Sequence, residues 1–302
     1  MRLPTPARPA LHVVALAVFA AFVASACWWG GDDDEASPPP SPSPSASAGA
    51  SSTPTAAPAT ATPTPTEEPP TPTPTPPPPT PTPPPLPAEG VVIEHGDRGS
   101  GMVALTFDMG GRVDPALDIM QFLIDNNVRA TIFMTGAMAE NQNTDAGRQV
   151  IRIVTENQHL FELGNHSYSH PDFRTLTPDQ MRSEISSTEA AVAAYTALDM
   201  RPLFRPPLGA WDDEVVSVLA EAGYPYVIMW DIDTIDWRPE SEGGPTADDI
   251  ASKVLSRAQG GSIVLMHLGG YNTLDALPAI VSGLRGAGYE LVTVRELLGL
   301  NH

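Results

Sequence analysis

Met102-Val103-Ala104-Leu105-Thr106-Phe107-Asp108-Met109-Gly110-Gly111 is a short apolar run ending in a carboxylate and two glycines. Met102–Phe107 is too short for a helix and predicts a buried strand. Asp108 then closes the strand, where burying a carboxylate is costly without a partner. Taken alone, it reads equally well as a cap for the helix that follows. The glycines let the backbone turn sharply beside a ligand.

Working outward, similar apolar runs occupy Val91–Ile93, Ala130–Met134, Leu160–Gly164, Tyr226–Asp231, Ser262–Met266 and Leu291–Val294. Between them lie helical patterns at Pro115–Asp125, Ala146–Asn157, Pro178–Tyr195, Asp213–Ala222, Ala247–Ala258 and Leu274–Gly286. Thr177-Pro178-Asp179-Gln180 is a helix start, with a capping Thr, Pro at the first position and Gln at the third. This alternation implies βαβ units and a parallel sheet. So many repeats in residues 90–302 suit an α/β barrel, complete or incomplete, better than a small open sheet. In either form the chemistry gathers at the carboxyl ends of the strands.

Four more segments with chemical potential fall there. Asn165-His166-Ser167-Tyr168-Ser169-His170 carries two histidines four apart, which share a face if the segment is helical and can then share a metal ion. Phe204-Arg205-Pro206-Pro207-Leu208-Gly209 presents an arginine able to pair with a buried carboxylate. Trp230-Asp231-Ile232-Asp233-Thr234-Ile235-Asp236-Trp237 sets three acids among apolar and aromatic residues. Ile263-Val264-Leu265-Met266-His267 is a strand ending in histidine. Each has a plain structural alternative, but five such segments at successive strand ends are poorly explained by coincidence. Asp114, Asp118 and Asp172 read as a helix cap, a helix-surface acid and a turn residue. His95, His159 and His302 carry no motif and are expected to be exposed. Tyr168 and Tyr271 can stack on sugars, as ordinary half-buried tyrosines also can.

In this order the five segments resemble the polysaccharide deacetylases, over essentially all of residues 90–302. The resemblance implies a distorted (β/α)7-type barrel and hydrolysis of N-acetyl groups from amino sugars in chitin, peptidoglycan or related glycans. It implies a divalent metal, often zinc, on His166 and His170, with Asp108 as general base and Arg205 orienting it. His267, tuned by Asp236, would protonate the leaving amine. The backbone N–H of Leu208 would face the oxyanion, and Trp237 and Leu265 would line the acetyl pocket. The family's first motif reads Thr-Phe-Asp-Asp-Gly, so Met109 stands where a metal-binding Asp belongs. A thioether is a soft, neutral substitute for that carboxylate. Either the metal keeps two histidines and waters, or Asp108 moves onto it, or metal and turnover are lost. The complete remainder (Arg205, Asp236, His267) favours one of the first two. A glycan-binding domain without turnover and a non-sugar amide hydrolase are the alternatives.

The rest of the sequence bounds location and partners. Arg2 and Arg8, the apolar Leu11–Ala24 and Ala24-Ser25-Ala26 form an export signal over residues 1–26. Cys27, the single cysteine, follows it as in a bacterial lipoprotein, which implies a lipid anchor to a membrane with Trp28 and Trp29 at the interface. Cleavage after Ala26 and secretion is the alternative. Of 35 prolines, 22 lie between Pro38 and Pro87, so residues 27–89 read as an unfolded Pro/Thr/Ser tether ahead of one folded domain. The formal net charge of −20, without a basic patch, argues against nucleic acid as a partner. The expected partner is an acetylated glycan, and no protein partner is expected.

Overall fold

The computed structural model describes residues 87–300. The signal (1–26), Cys27, Trp28, Trp29, nearly all of the 27–89 tether and His302 lie outside the described residues.

Nine strands and eight helices follow one another among the described residues. They are β1 (Val91–Ile93), β2 (Met102–Met109), α1 (Ala116–Asp125), β3 (Ala130–Met134), α2 (Gly136–Ala139), α3 (Ala146–Glu156), β4 (Phe161–Asn165) and α4 (Pro178–Ala193). Then come β5 (Leu203–Phe204), α5 (Asp213–Glu221), β6 (Tyr226–Ile228), β7 (Ile232–Asp233), α6 (Ala247–Arg257), β8 (Ile263–His267), α7 (Thr273–Gly286), β9 (Glu290–Val292) and α8 (Val294–Leu297). The capping box expected at Thr177 opens α4, with Thr177 and Gln180 exchanging side-chain and backbone hydrogen bonds. No helix among the described residues is long and apolar enough to cross a membrane.

Every strand pair is parallel, in the order β1-β6-β5-β4-β3-β2-β8-β7, with β9 also on β2. The sheet is curled, and the chain itself shows why. β6 and β7 stand six strand steps apart, about 29 Å on a flat sheet. Yet only Met229–Asp231 joins them, a path of at most about 14 Å. The expected single strand Tyr226–Asp231 is therefore two, β7 at one end of the strand path and β6 one strand in from the other. Period-two hydrophobicity gives no sign of such a change of partner. The seam is held by Met229 N–H on the Ile93 carbonyl (2.8 Å) and Asp231 N–H on that of Ile263 (3.2 Å). Asp231 also accepts from Arg98 (2.9 Å) and Ser262 (2.8 Å).

Alternation along β2 divides the interior. Val103, Leu105, Phe107 and Met109 pack toward the helices with Ile119, Met120, Leu123 and Leu277. Ala104, Thr106 and Asp108 take the opposite face, and Ala104 joins Phe133, Leu203, Ile228 and Ile263 in a second cluster. That cluster is closed from below by Val294, Leu297 and Leu300. Thr293-Val294-Arg295-Glu296 is a capping box, so the chain leaves β9 at Val292 rather than at Val294. Thr131 and Glu162 accept the first α8 amides, Val294 N–H at 2.9 Å and Arg295 N–H at 3.1 Å.

Candidate active site

Above this floor the barrel opens into a cavity of 540 Å³ lined by Asp108, His166, His170, Leu208, Trp237, Leu265 and His267, among others. The expected site residues that touch it come from β2, β8 and the loops after β4, β5 and β7. Arg205 and Asp236 stand directly behind them, fully buried.

Asp108 and His267 are partners in the β2–β8 ladder, so the backbone itself fixes how far apart they stand. Arg205 donates from Nη1 to Asp108 Oδ1 at 2.7 Å. Its remaining donors serve the seam, Nε to the Ile228 carbonyl at 3.1 Å and Nη2 to that of Met229 at 3.2 Å. Burial alone would raise the Asp108 carboxyl. The Arg205 charge, with His166 and His267, outweighs that and holds it below its usual 3.8.

Opposite Asp108, His267 Nδ1–H donates to Asp236 Oδ1 at 2.7 Å, which leaves Nε2 for the cavity. Asp236 Oδ2 accepts the His267 backbone N–H at 2.9 Å. Burial would lower the imidazole, but the hydrogen bond and charge of Asp236, joined by Asp108, lift it above 6.5. The carboxylate is thus biased toward its ionised form, and the imidazole facing it toward its protonated form.

The two histidines stand together, but not on a helix. His166–His170 is a loop in which Ser167 (φ 66°) and His170 (φ 62°) adopt the left-handed conformation. Side chains take the amides a helix would need. Asn165 Oδ1 accepts from Ser167 N–H, Ser167 Oγ from His170 N–H, and Glu184 from the Tyr168 and Ser169 amides. The turn brings the two rings to 5.0 Å between centroids. A side chain at Gly110 would press on the His170 ring, with its Cβ 3.0 Å from Cδ2. His166 Nδ1–H donates to the Arg205 carbonyl at 2.7 Å, so its bare Nε2 points toward Asp108 Oδ2 at 3.4 Å. Burial lowers the His166 pKa to about 4, so at neutral pH this contact is not an ion pair.

The metal implied by the resemblance does not find its ligand set. Among the described residues no three His, Cys, Asp or Glu side chains stand together as a metal site requires. Two imidazoles are present, and one Asp108 oxygen is engaged by Arg205. Met109, which the resemblance sets in the position of the third ligand, is fully buried in the helix-facing layer. Met109→Asp would therefore bury a carboxylate among apolar groups and lose Met packing, at a cost on the order of 3 kcal/mol. The variant is expected to melt about 6–12 °C below the wild type in chelator. Zinc should recover part of the loss if the introduced carboxylate turns to the histidines, because a ligand bound only by the folded state stabilises it. Thermal melts of both proteins, with and without zinc, check this, and equal melting temperatures in chelator contradict the buried placement of residue 109.

The other expected residues divide. Leu208 is 70% exposed in a turn where its φ is 60°, a strained value for leucine. Trp237 is 54% exposed at the rim and Leu265 is buried in the wall. Of the three acids after Trp230 only Asp236 meets His267. Asp231 belongs to the seam, and Asp233 accepts from Ile235 N–H in a turn while its side chain reaches the cavity. Asp114 is no helix cap, since it pairs with Arg112 at 2.9 Å. Asp172 caps a short turn through Arg174 N–H, and His95 and His159 are exposed as expected. Sequence reading missed Arg112 and Trp230, which line the cavity without belonging to any acid–base pattern.

The model of the family described as polysaccharide deacetylase matches residues 95–227. The chain is 30% identical over 199 residues to the peptidoglycan-N-acetylglucosamine deacetylase of Bacillus cereus, covering 65% of this chain and 67% of that one. It is 32% identical over 197 residues to the peptidoglycan-N-acetylglucosamine deacetylase of Listeria monocytogenes, of which it spans 39% while 65% of this chain is covered. Among solved structures it resembles a family 4 carbohydrate esterase pseudoenzyme from Bacillus anthracis (30% identity, TM-score 0.58, 68% of each chain). A mutant of that protein with restored enzymatic activity matches equally well (31% identity, TM-score 0.58, 68% of this chain and 71% of that one).

Proposed function

The chain belongs to the polysaccharide deacetylase family, and from that premise we infer that it removes acetyl groups from the amino sugars of a polymer such as peptidoglycan or chitin. The observation that carries this reading is the ladder pair Asp108–His267 on one cavity, the first biased toward its ionised form by Arg205 and the second toward its protonated form by Asp236. Asp108, fixed by Arg205, accepts the proton of the attacking water. His267, held by Asp236, donates the proton that the leaving nitrogen needs. Leu265 and Trp237 are of a size and polarity to receive the acetyl methyl, and the Leu208 turn can offer its amide to the developing oxyanion. Lipidation at Cys27 and the Pro-rich tether would hold this domain at an extracytoplasmic surface, where such polymers lie.

The working state needs Asp108 ionised and His267 protonated. Acetate release is therefore expected to fall as pH drops through the Asp108 value, below 3.8, and as pH rises through that of His267, above 6.5. A rate that climbs steadily through neutral pH into the alkaline range would contradict the assignment of His267 as the acid.

The missing third metal ligand favours a second reading, in which the cavity binds acetylated glycan without turning it over. The pseudoenzyme relative gives that reading a precedent in the family. One experiment separates the two. The purified protein is incubated with acetylated chitooligosaccharides and with peptidoglycan, and free acetate and glycan binding are both measured. Acetate from either polymer supports the hydrolase. Binding without acetate leaves the second reading.

A further inference from the structure

The pair His267–Asp236 has a third member. Thr273, the first residue of α7, is fully buried, and its Oγ1–H donates to Asp236 Oδ2 at 2.5 Å. Asp236 is itself wholly enclosed, so its carboxylate depends on protein donors. Oδ2 takes the Thr273 hydroxyl and the His267 backbone N–H, and Oδ1 is left to His267 Nδ1–H. A carboxylate with one oxygen doubly engaged has little freedom to rotate about its last bond.

The chain before α7 is shaped to deliver that hydroxyl. Gly270 lies so close that a Cβ there would collide with both Thr273 Oγ1 and Asp236 Oδ2. Tyr271 N–H donates to the Asp236 carbonyl at 2.7 Å, and Asn272 turns through φ 53° to start the helix. The positive end of a fourteen-residue helix thus sits beside the same carboxylate.

We propose that Thr273 is the positioning residue of this pair, its hydroxyl fixing Asp236 so that Oδ1 faces His267 Nδ1. It touches no substrate and acts only through Asp236. The proposal rests on the deacetylase reading for its consequence, but its geometry can be tested without turnover. A hydrogen-bonded imidazole N–H on a buried carboxylate gives a downfield proton resonance, assignable to His267 by its loss in His267→Ala. In Thr273→Val, which keeps the shape and deletes the hydroxyl, that resonance should broaden away or move upfield. In Thr273→Ser it should stay. Where wild-type turnover is measurable, kcat should fall about tenfold in the valine variant with KM little changed, and serine should restore it. Should Thr273→Val not fold, Thr273→Ala gives the same reading. A resonance unchanged without the hydroxyl overturns the proposal. So does its equal loss in Thr273→Ser, because the methyl group would then be what matters. Neither outcome bears on whether the protein releases acetate.

Discussion

His267→Ala is expected to lower acetate release by about 10²- to 10⁴-fold, the usual contribution of a positioned general acid. The leaving amine would have to find its proton in solvent, while Asp108 and the cavity walls stay as they were. The loss should appear in the chemical step rather than in glycan binding. The fold should tolerate the change. Asp236 Oδ2 keeps the backbone N–H of residue 267 and the Thr273 hydroxyl, so the buried carboxylate is not stripped of donors. His267 is raised in the folded protein, so its contribution to stability is fully present below 6.5 and disappears as pH rises through the folded value. The stability gap between wild type and variant should therefore narrow on going alkaline. Denaturant melts at several pH values measure that gap, and acetate assays measure the rate. A variant within tenfold of wild type would remove His267 from the proposed chemistry.

Arg205→Met should cost about 3–5 kcal/mol of stability, the usual consequence of leaving a buried charge unpaired. For a domain of this size that corresponds to roughly 6–20 °C in melting temperature. Two losses combine. Asp108, 5% exposed, would have no counter-charge, and burial would push its carboxyl toward the protonated form. The Ile228 and Met229 carbonyls at the seam would lose the Arg205 donors. The guanidinium also lies over the Phe133 ring at 4.1 Å, a contact that methionine only partly replaces. Adding Asp108→Asn should recover part of the cost, because the orphaned charge goes with it. Melts of the single and double variants check this, and full additivity would mean that the two side chains are not coupled in the folded protein.

Much of the architecture was legible because strand and helix periods are local. Ala130–Met134 and Val91–Ile93 are found where their apolar runs stand, and the six long helices differ from expectation only at their ends. What escaped depends on partners distant in the chain. Leu203–Phe204 is too short to show an alternation, and it is a strand because β4 and β6 flank it. The break after Ile228 reflects closure of the sheet, to which no single residue in the run testifies. In the site, Asp108, Arg205, Asp236 and His267 were legible as chemistry-bearing residues at strand ends. The condition under which His166 and His170 would share a helix face is not met, because Asn165, Ser167 and Glu184 capture the amides. The resemblance marks Met109 as a departure, but the face on which its side chain lies emerges only from the alternation of β2 in the folded sheet.

Arg205 at the seam changes what its survival means in descent. A lineage that stopped hydrolysing glycans would still be selected to keep this arginine if, as expected, a chain without it is several kcal/mol less stable. Asp236 is held in the same way by Thr273 and the α7 start. The completeness of these residues in the sequence thus records the demands of folding as much as a history of catalysis. The His267 ring is the more informative heirloom, because the pattern of bonds around Asp236 survives its removal.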